Sequence, residues 1–184
     1  MTQRMFYLFA MALFVLLGVG CCPVSRMNIS IELDKSFQTK YGNDRKVVVD
    51  LVLVGPNEQV RWEGSSMTRY WEAAGQMRNT LPTKTLEFNS SKSDPQVFSA
   101  DAPEWDKWLA DASGSAPPHV YVLVQFPGIF DQGKDDKPGN QDFRRQILPT
   151  KKCQYTSNPF GGPPTVKLVI NGDRVMTETT IKPD

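Results

Sequence analysis

The side chains that could carry out catalysis are few and poorly spaced for it. The chain has one histidine, His119, which opens an apolar segment directly after Pro117 and Pro118. A general base must lie within hydrogen-bond reach of a nucleophile, and no such partner stands near this histidine in the sequence. The candidate serines, which are Ser65, Ser66 and Ser99, lack the glycine frame of a nucleophile elbow. We therefore expect no catalytic residues and no enzymatic activity.

Carboxylates are concentrated in one polar segment, residues 131–142, where they could bind a calcium ion weakly. The carboxylates are those of Asp131, Asp135, Asp136 and Asp142. Lys134 and Lys137 lie among them and would repel a cation, so a solvated loop is the favoured interpretation. The chain also has no CxxC, HExxH or DxDxDG pattern. We expect no metal and no cofactor.

The cysteines indicate a different chemistry, which is the attachment of lipid to a thiol. Residues 6–17 are apolar, follow Arg4, and lead through small residues to Cys21. This order is typical of a secretory signal, and small residues directly before a cysteine resemble a bacterial lipobox. We predict that residues 1–20 are a lipoprotein signal peptide and that Cys21 carries palmitate or related acyl chains. Because the leucine stands four places before Cys21 rather than three, Cys22 is the alternative site.

The third cysteine leaves two possibilities open. If Cys21 carries lipid, Cys22 and Cys153 could form a disulfide, but spacing alone does not establish one. We favour a free Cys153. Residues 21–26 are then a tether, and residues 27–184 form a single β-sandwich domain.

The charge of the chain excludes one class of partner. Lysine and arginine number 21, aspartate and glutamate number 20, and the formal net charge is +1. Removal of residues 1–20, whose only charge is Arg4, leaves a formally neutral chain. A neutral domain has no long-range field that attracts a polyanion. We therefore expect no nucleic-acid partner.

Segments with the spacing of β-strands dominate the rest of the chain. Residues 46–54 and 119–126 are almost continuously apolar, which is typical of central strands. The pair Asn171-Gly172 favours a left-handed turn in a terminal hairpin. The predicted strands are residues 27–33, 46–54, 83–89, 96–99, 119–126, 143–148, 165–170 and 174–181. We predict a mainly β fold, an antiparallel β-sandwich of about seven strands with one or two short covering helices.

Two segments have the spacing of short helices. Asp101 is a predicted N-cap, as are Asn57 and either Ser65 or Ser66. The apolar side chains that follow these caps are Val60, Trp62, Met67, Tyr70, Trp71, Trp105, Trp108, Leu109 and Ala112. Their spacing favours a position in the core or over a sheet. A ligand-binding platform is the alternative.

The order of the segments resembles the outer-membrane lipoprotein family of type VI secretion systems. The matching segments are the predicted lipidated cysteine, an early strand, VVVDLVLV, an aromatic helical stretch, HVYVLVQF, RRQILP and TVKLVINGDRV. The resemblance implies a transthyretin-like β-sandwich with added helices. It also implies an anchor in the outer membrane, on the periplasmic side, and docking of an inner-membrane partner of the secretion complex. The helix near Asp101 and the polar segment 131–142 depart from the family pattern.

The resemblance also implies where the partner binds. In that family the loop between the first two strands contacts the partner, and this loop corresponds to residues 34–45. Phe37 and Tyr41 are the expected anchors, with Lys35, Asn43 and Asp44 as a polar rim. The function implied is a lipid-anchored adaptor without a small-molecule substrate. A ligand-binding or carrier lipoprotein of the envelope is the alternative.

Overall fold

The alternating apolar segments form two four-stranded sheets. The computed structural model describes residues 22–72, 76–91, 94–112, 116–155 and 161–182, so the predicted signal peptide and Cys21 lie outside the described residues. The strands are β1 (Asn28–Leu33), β2 (Lys46–Val54), β3 (Thr83–Asn89), β4 (Gln96–Phe98), β5 (His119–Gln125), β6 (Arg145–Pro149), β7 (Thr165–Ile170) and β8 (Val175–Thr177).

One sheet has the strand order β4-β1-β7-β8 and the other has the order β3-β2-β5-β6. All neighbouring strands are antiparallel except β1 and β7, which are parallel. The prediction of a mainly β sandwich is confirmed. The two strands predicted to be central, β2 and β5, both lie inside their sheet.

The main core lies between the two sheets, because each strand turns alternate side chains inward. Val47, Val49 and Leu51 of β2 face Ile29 and Ile31 of β1 across this space, and all five are fully buried. Full burial of an aliphatic side chain contributes about 1.5–3 kcal/mol. This core therefore supplies most of the free energy that holds the two sheets together.

The helices outnumber the one or two that the sequence predicts. The α-helices are α1 (Lys35–Tyr41), α2 (Gln59–Glu63), α3 (Met67–Trp71), α4 (Glu104–Asp111) and α5 (Gln132–Asp135). Short 3₁₀ helices span Gln76–Asn79, Gly139–Gln141 and Lys152–Gln154. Within the described ranges, no helix combines the length and apolar character that crossing a bilayer requires.

Helices α2 and α3 cover the outer face of the second sheet. Trp62, Met67 and Tyr70 pack there on Val52 and Tyr121 in a second, smaller core. This layer explains why β2 is apolar on both faces, since its outward side chains are also covered. The predicted cap Ser66 is confirmed, because its hydroxyl accepts the backbone N–H of Arg69 at 3.0 Å.

Two other predicted caps are wrong. Helix α4 begins at Glu104, and Pro103 rather than Asp101 precedes it, without a side-chain cap. The side chain of Ser99 accepts the Asp101 backbone N–H at 3.1 Å, so Asp101 lies in a turn that precedes the helix. Helix α2 likewise follows Glu58 and has no side-chain cap, so Asn57 does not begin it.

The aromatic residues of the helices lie in the core, as their spacing predicts. Trp105 and Trp108 pack against Phe98 of β4 with ring centroids 5.3–5.6 Å apart. Trp62 and Tyr70 are buried in the smaller core. Packing of this kind leaves no aromatic platform for a ligand among these four side chains.

Candidate functional site

Along the direction of its strands, the described sandwich has two ends, and these carry different residues. Strand β1 begins and β6 ends at one end, which receives the N-terminal segment. The opposite end carries helix α1, the β7–β8 turn and the loop after β5. Because β2 has nine residues and strands rise about 3.3 Å per residue, the two ends are about 30 Å apart.

A disulfide marks the first end. Cys22 is bonded to Cys153, which is 131 positions away in the sequence, and their Cα atoms are 5.8 Å apart. The interpretation of Cys153 as a free thiol is therefore wrong. The fold brings these two residues together by pairing the N-terminal segment with the chain that follows β6, a long-range contact that local spacing does not reveal.

Backbone pairing continues the contact beyond the disulfide. The carbonyl of Pro23 accepts the N–H of Lys152 at 3.1 Å, and the N–H of Ser25 donates to the carbonyl of Thr150 at 2.8 Å. Between them Val24 pairs antiparallel with Lys151. The segment predicted as a tether is therefore fixed to the fold from Cys22 onward.

The segment expected to be the partner-binding loop forms helix α1 at the opposite end. Asp34 is its N-cap, and its carboxylate accepts the Ser36 N–H at 2.8 Å. Hydrogen bonding from Ser36 holds the pKa of the Asp34 carboxyl below its usual value. The signal for this helix was present in the sequence, since Phe37 and Tyr41 are four positions apart after a good cap.

Phe37 does not lie on the surface. Its side chain is 0% exposed and points into the main core, where its ring contacts Tyr41 and Phe126. The expectation that Phe37 is an exposed anchor is therefore wrong. Helix formation is the physical reason, because it turns one side of residues 35–41 toward the core.

The remaining predicted partner-binding residues reach solvent. Lys35, Asn43 and Asp44 are exposed, and Tyr41 is half-buried with its ring 6.2 Å from that of Phe126. Asp44 has a φ of 62°, which is the left-handed turn conformation. The structure thus groups these four residues at one end of the sandwich.

At this end, helix α1 contacts the β7–β8 turn through an ion pair and through close packing. The ammonium of Lys40 lies 2.9 Å from the carboxylate of Asp173 in the β7–β8 turn, which raises the pKa of Lys40 and lowers that of Asp173. Gly172 packs so closely on α1 that a Cβ would lie 3.0 Å from the carbonyl oxygen of Ser36. The glycine is thus required for close approach, and the predicted left-handed turn at Gly172 is wrong.

The sequence analysis missed one apolar residue at this end. Ile129, in the loop after β5, is fully exposed and follows Gly128, which has a φ of 131°. Phe130 beside it is half-buried against Phe143, with ring centroids 5.6 Å apart. The only feature of the sequence that indicated an exposed position was the location of this isoleucine directly after Pro-Gly, a pair typical of turns.

The polar segment 131–142 is largely exposed, as predicted, but two of its carboxylates are not solvated. Asp142 is fully buried and binds the guanidinium of Arg144 at 2.8 Å, and Asp136 contacts the same guanidinium. Burial alone would raise the pKa of Asp136, but hydrogen bonds from Ser66, Thr68 and Arg144 lower it. Two of the carboxylates considered for calcium therefore neutralise an arginine, and no cluster of three metal-binding side chains occurs among the described residues.

A second buried network fixes the helical layer to the sheet. Asp50 of β2 is fully buried and accepts hydrogen bonds from Tyr70 at 3.0 Å, Arg78 at 2.8 Å and Thr85 at 2.6 Å. Burial, together with the nearby Asp50 carboxylate, raises the pKa of Tyr70. Each polar group is satisfied within the fold, so this network is structural.

The single histidine lies where a helix meets the start of a strand. His119 opens β5, and its Nδ1 lies within hydrogen-bond distance of the Gln59 side chain. An amide is neither a nucleophile nor an acid that could serve this ring. The contact joins α2 to the start of β5.

Comparison with known proteins relates the fold to one assembly. No protein-family model and no curated protein matches the chain. Among solved structures, a chain of a type VI membrane complex matches with a TM-score of 0.51 and 12% identity, over 84% of this chain and 98% of that one. The T6SS lipoprotein TssJ1 from Pseudomonas aeruginosa matches with a TM-score of 0.48 and 8% identity, over 88% of this chain and 100% of that one.

A further similar structure is Lip from Serratia marcescens, a membrane-bound component of the type VI secretion system. It matches with a TM-score of 0.46 and 9% identity, over 84% of this chain and 96% of that one. Structural matches at such low sequence identity show a similar fold and nothing more. The chain thus has the sandwich fold found in a type VI membrane complex, which is the fold that its segment order predicts.

Proposed function

We propose that the chain is a lipid-anchored, periplasm-facing adaptor of a bacterial envelope complex. Its role would be that of the outer-membrane lipoprotein of a type VI secretion system, which docks an inner-membrane partner. The observation that carries the proposal is the separation of the two ends. Cys22 and its disulfide lie at one end, and the exposed residues around α1 lie at the other.

The disulfide favours Cys21 as the acylated residue. A sulfur bonded to Cys153 is not available for a thioether to lipid, which argues against the alternative site Cys22. Disulfides persist in oxidising compartments such as the bacterial periplasm. The bond therefore supports a location in the periplasm.

Metabolic labelling with a clickable palmitate tests the anchor. Cys21→Ser is expected to abolish the label and release the protein from the membrane, whereas Cys22→Ser is expected to keep both. The Cys22→Ser variant is the matched control, because it removes a neighbouring thiol. Loss of the label from Cys22→Ser alone would contradict the assignment.

The partner-binding surface that we propose differs from the one expected from the sequence. It keeps Lys35, Tyr41, Asn43 and Asp44 and adds Ile129. Exposed or half-exposed aromatic and aliphatic side chains surrounded by a polar rim are typical of interface anchors. Phe37 supports this surface from within the core.

A pull-down with the lipidated full-length protein tests the surface. The combined variant Tyr41→Ala, Ile129→Ser is expected to lose an inner-membrane protein that the wild type captures. Val60→Ser is the matched control, since Val60 is also an exposed aliphatic residue but lies on α2. An unchanged set of captured proteins from the combined variant would exclude this surface.

The carrier alternative finds little support. Its pocket would be lined by aromatic side chains, but Trp62, Tyr70, Trp105 and Trp108 are packed in the two cores. Tryptophan fluorescence titrated with a panel of envelope ligands separates the two functions. A saturable change in emission would favour the carrier.

A further inference from the structure

The chain leaves almost no linker between its predicted lipid anchor and its fold. Cys22 is bonded to Cys153, and Pro23 and Ser25 form backbone hydrogen bonds with residues 150–152. The guanidinium of Arg26 also contacts the carboxylate of Asp106 on α4. Each residue from Cys22 to the start of β1 therefore lies next to a contact that fixes it to the domain.

Covalent geometry then limits how far the domain can move from the bilayer. Consecutive Cα atoms are about 3.8 Å apart, so one peptide unit separates an acylated Cys21 from the fixed position of Cys22. A flexible linker behaves differently, since ten Gly/Ser residues span about 17 Å on average. The first end of the sandwich therefore cannot leave the headgroup region while the acyl chains remain inserted.

We propose, on the basis of the lipid anchor in the proposed function, that this end is a membrane-contact surface for lipid headgroups. Pro23, Val24 and Cys153 are exposed here, and Val24 is 42% exposed although it is apolar. An exposed apolar side chain next to a bilayer is stabilised at the boundary between headgroups and acyl chains. The occupant of this surface is the membrane to which the chain is anchored.

The contact also limits how far the opposite end can lie from the membrane. The two ends are separated by the length of β2, so Tyr41 and Ile129 can lie no more than about 30 Å from the headgroups. A partner must approach the membrane to this distance, because the adaptor has no linker with which to reach outward. The inference thus defines the geometry of docking as well as the lipid contact.

Neutron reflectometry on supported bilayers of phosphatidylethanolamine and phosphatidylglycerol tests this proposal with the full-length lipidated protein. The wild-type protein layer is expected to begin directly at the headgroups, without a layer of water between. A variant with ten Gly/Ser residues inserted between Cys21 and Cys22 keeps the disulfide and is expected to add a water gap of about 17 Å. The two protein layers should have the same thickness, which checks that the variant is folded.

Failure of the membrane-contact surface can be distinguished from failure of the proposed function. A water gap of the same size in the wild type and in the insertion variant would overturn the membrane-contact surface. Mass spectrometry of the same samples measures the acyl groups. A wild-type protein without acyl mass would overturn the proposed function itself.

Discussion

At the scale of single residues, several polar or exposed-looking side chains turn out to be buried. Phe37 stands among charged and polar neighbours in the sequence. Its side chain is nevertheless fully buried on the inner side of α1, where it packs against Phe126. Arg144 and Asp142 are likewise fully buried as a pair. The pairing of Asp142 with Arg144 is local, but the burial arises in each case from tertiary packing, such as the contact of Arg144 with Thr68 at 3.0 Å, which the local sequence does not contain.

Phe37→Ala tests the role of this residue in the core. Removal of a buried phenylalanine leaves a cavity and is expected to lower the free energy of unfolding by about 3–5 kcal/mol. Urea unfolding followed by circular dichroism measures the change. Lys35→Ala on the same helix is the control and should unfold close to the wild type. A stable Phe37→Ala protein that fails only in partner capture would show that the ring acts at the surface.

The Asp136 carboxylate predicts a pH dependence of stability. Its pKa is lower in the folded protein than its ordinary value, so its contribution is fully present above about pH 4 and is lost as the pH falls through the folded pKa. Urea unfolding at a series of pH values from 7 to 2 measures this loss. Asp136→Asn should be less stable at pH 7 and should lose less stability on acidification. If the stability of Asp136→Asn fell with pH as steeply as that of the wild type, this role of Asp136 would be contradicted.

At the scale of elements, the strands are predictable and their partners are not. The bounds of β2 and β3 match the sequence prediction, because apolar periodicity and β-branched residues are local properties. Helix α1 was missed since only two apolar residues define its inner face. The pairing of Cys22 with Cys153 was also missed, because it depends on β6 ending beside the N-terminal segment.

Removal of the disulfide tests how much this pairing stabilises the elements that it joins. The bond closes a loop of 131 residues and restricts the unfolded chain, so the variant Cys22→Ser, Cys153→Ser is expected to lose about 2–5 kcal/mol of unfolding free energy. Guanidinium unfolding measures the difference. Reduction of the wild-type protein should reproduce the effect, and the double variant should not respond to a reductant. Equal stability of oxidised wild type and double variant would contradict a structural role.

At the scale of the whole molecule, the proposed function makes the sandwich a spacer between two surfaces. One end carries the disulfide next to the predicted anchor, and the other carries exposed side chains around α1 and Ile129. The described chain offers no catalytic arrangement, and its near-neutral charge provides no long-range attraction. The proposed function, in which the chain holds a partner near a membrane, uses both of these ends.

The most direct test of this account is mass spectrometry of tryptic peptides from the protein isolated from its native membrane. Trypsin should release residues 21–26 with acyl groups on Cys21, joined by a disulfide to residues 153–167. A reductant should separate the two peptides and leave the acyl mass on residues 21–26. A peptide that begins before Cys21, carries its acyl groups on Cys22, or contains no acyl mass would contradict the account.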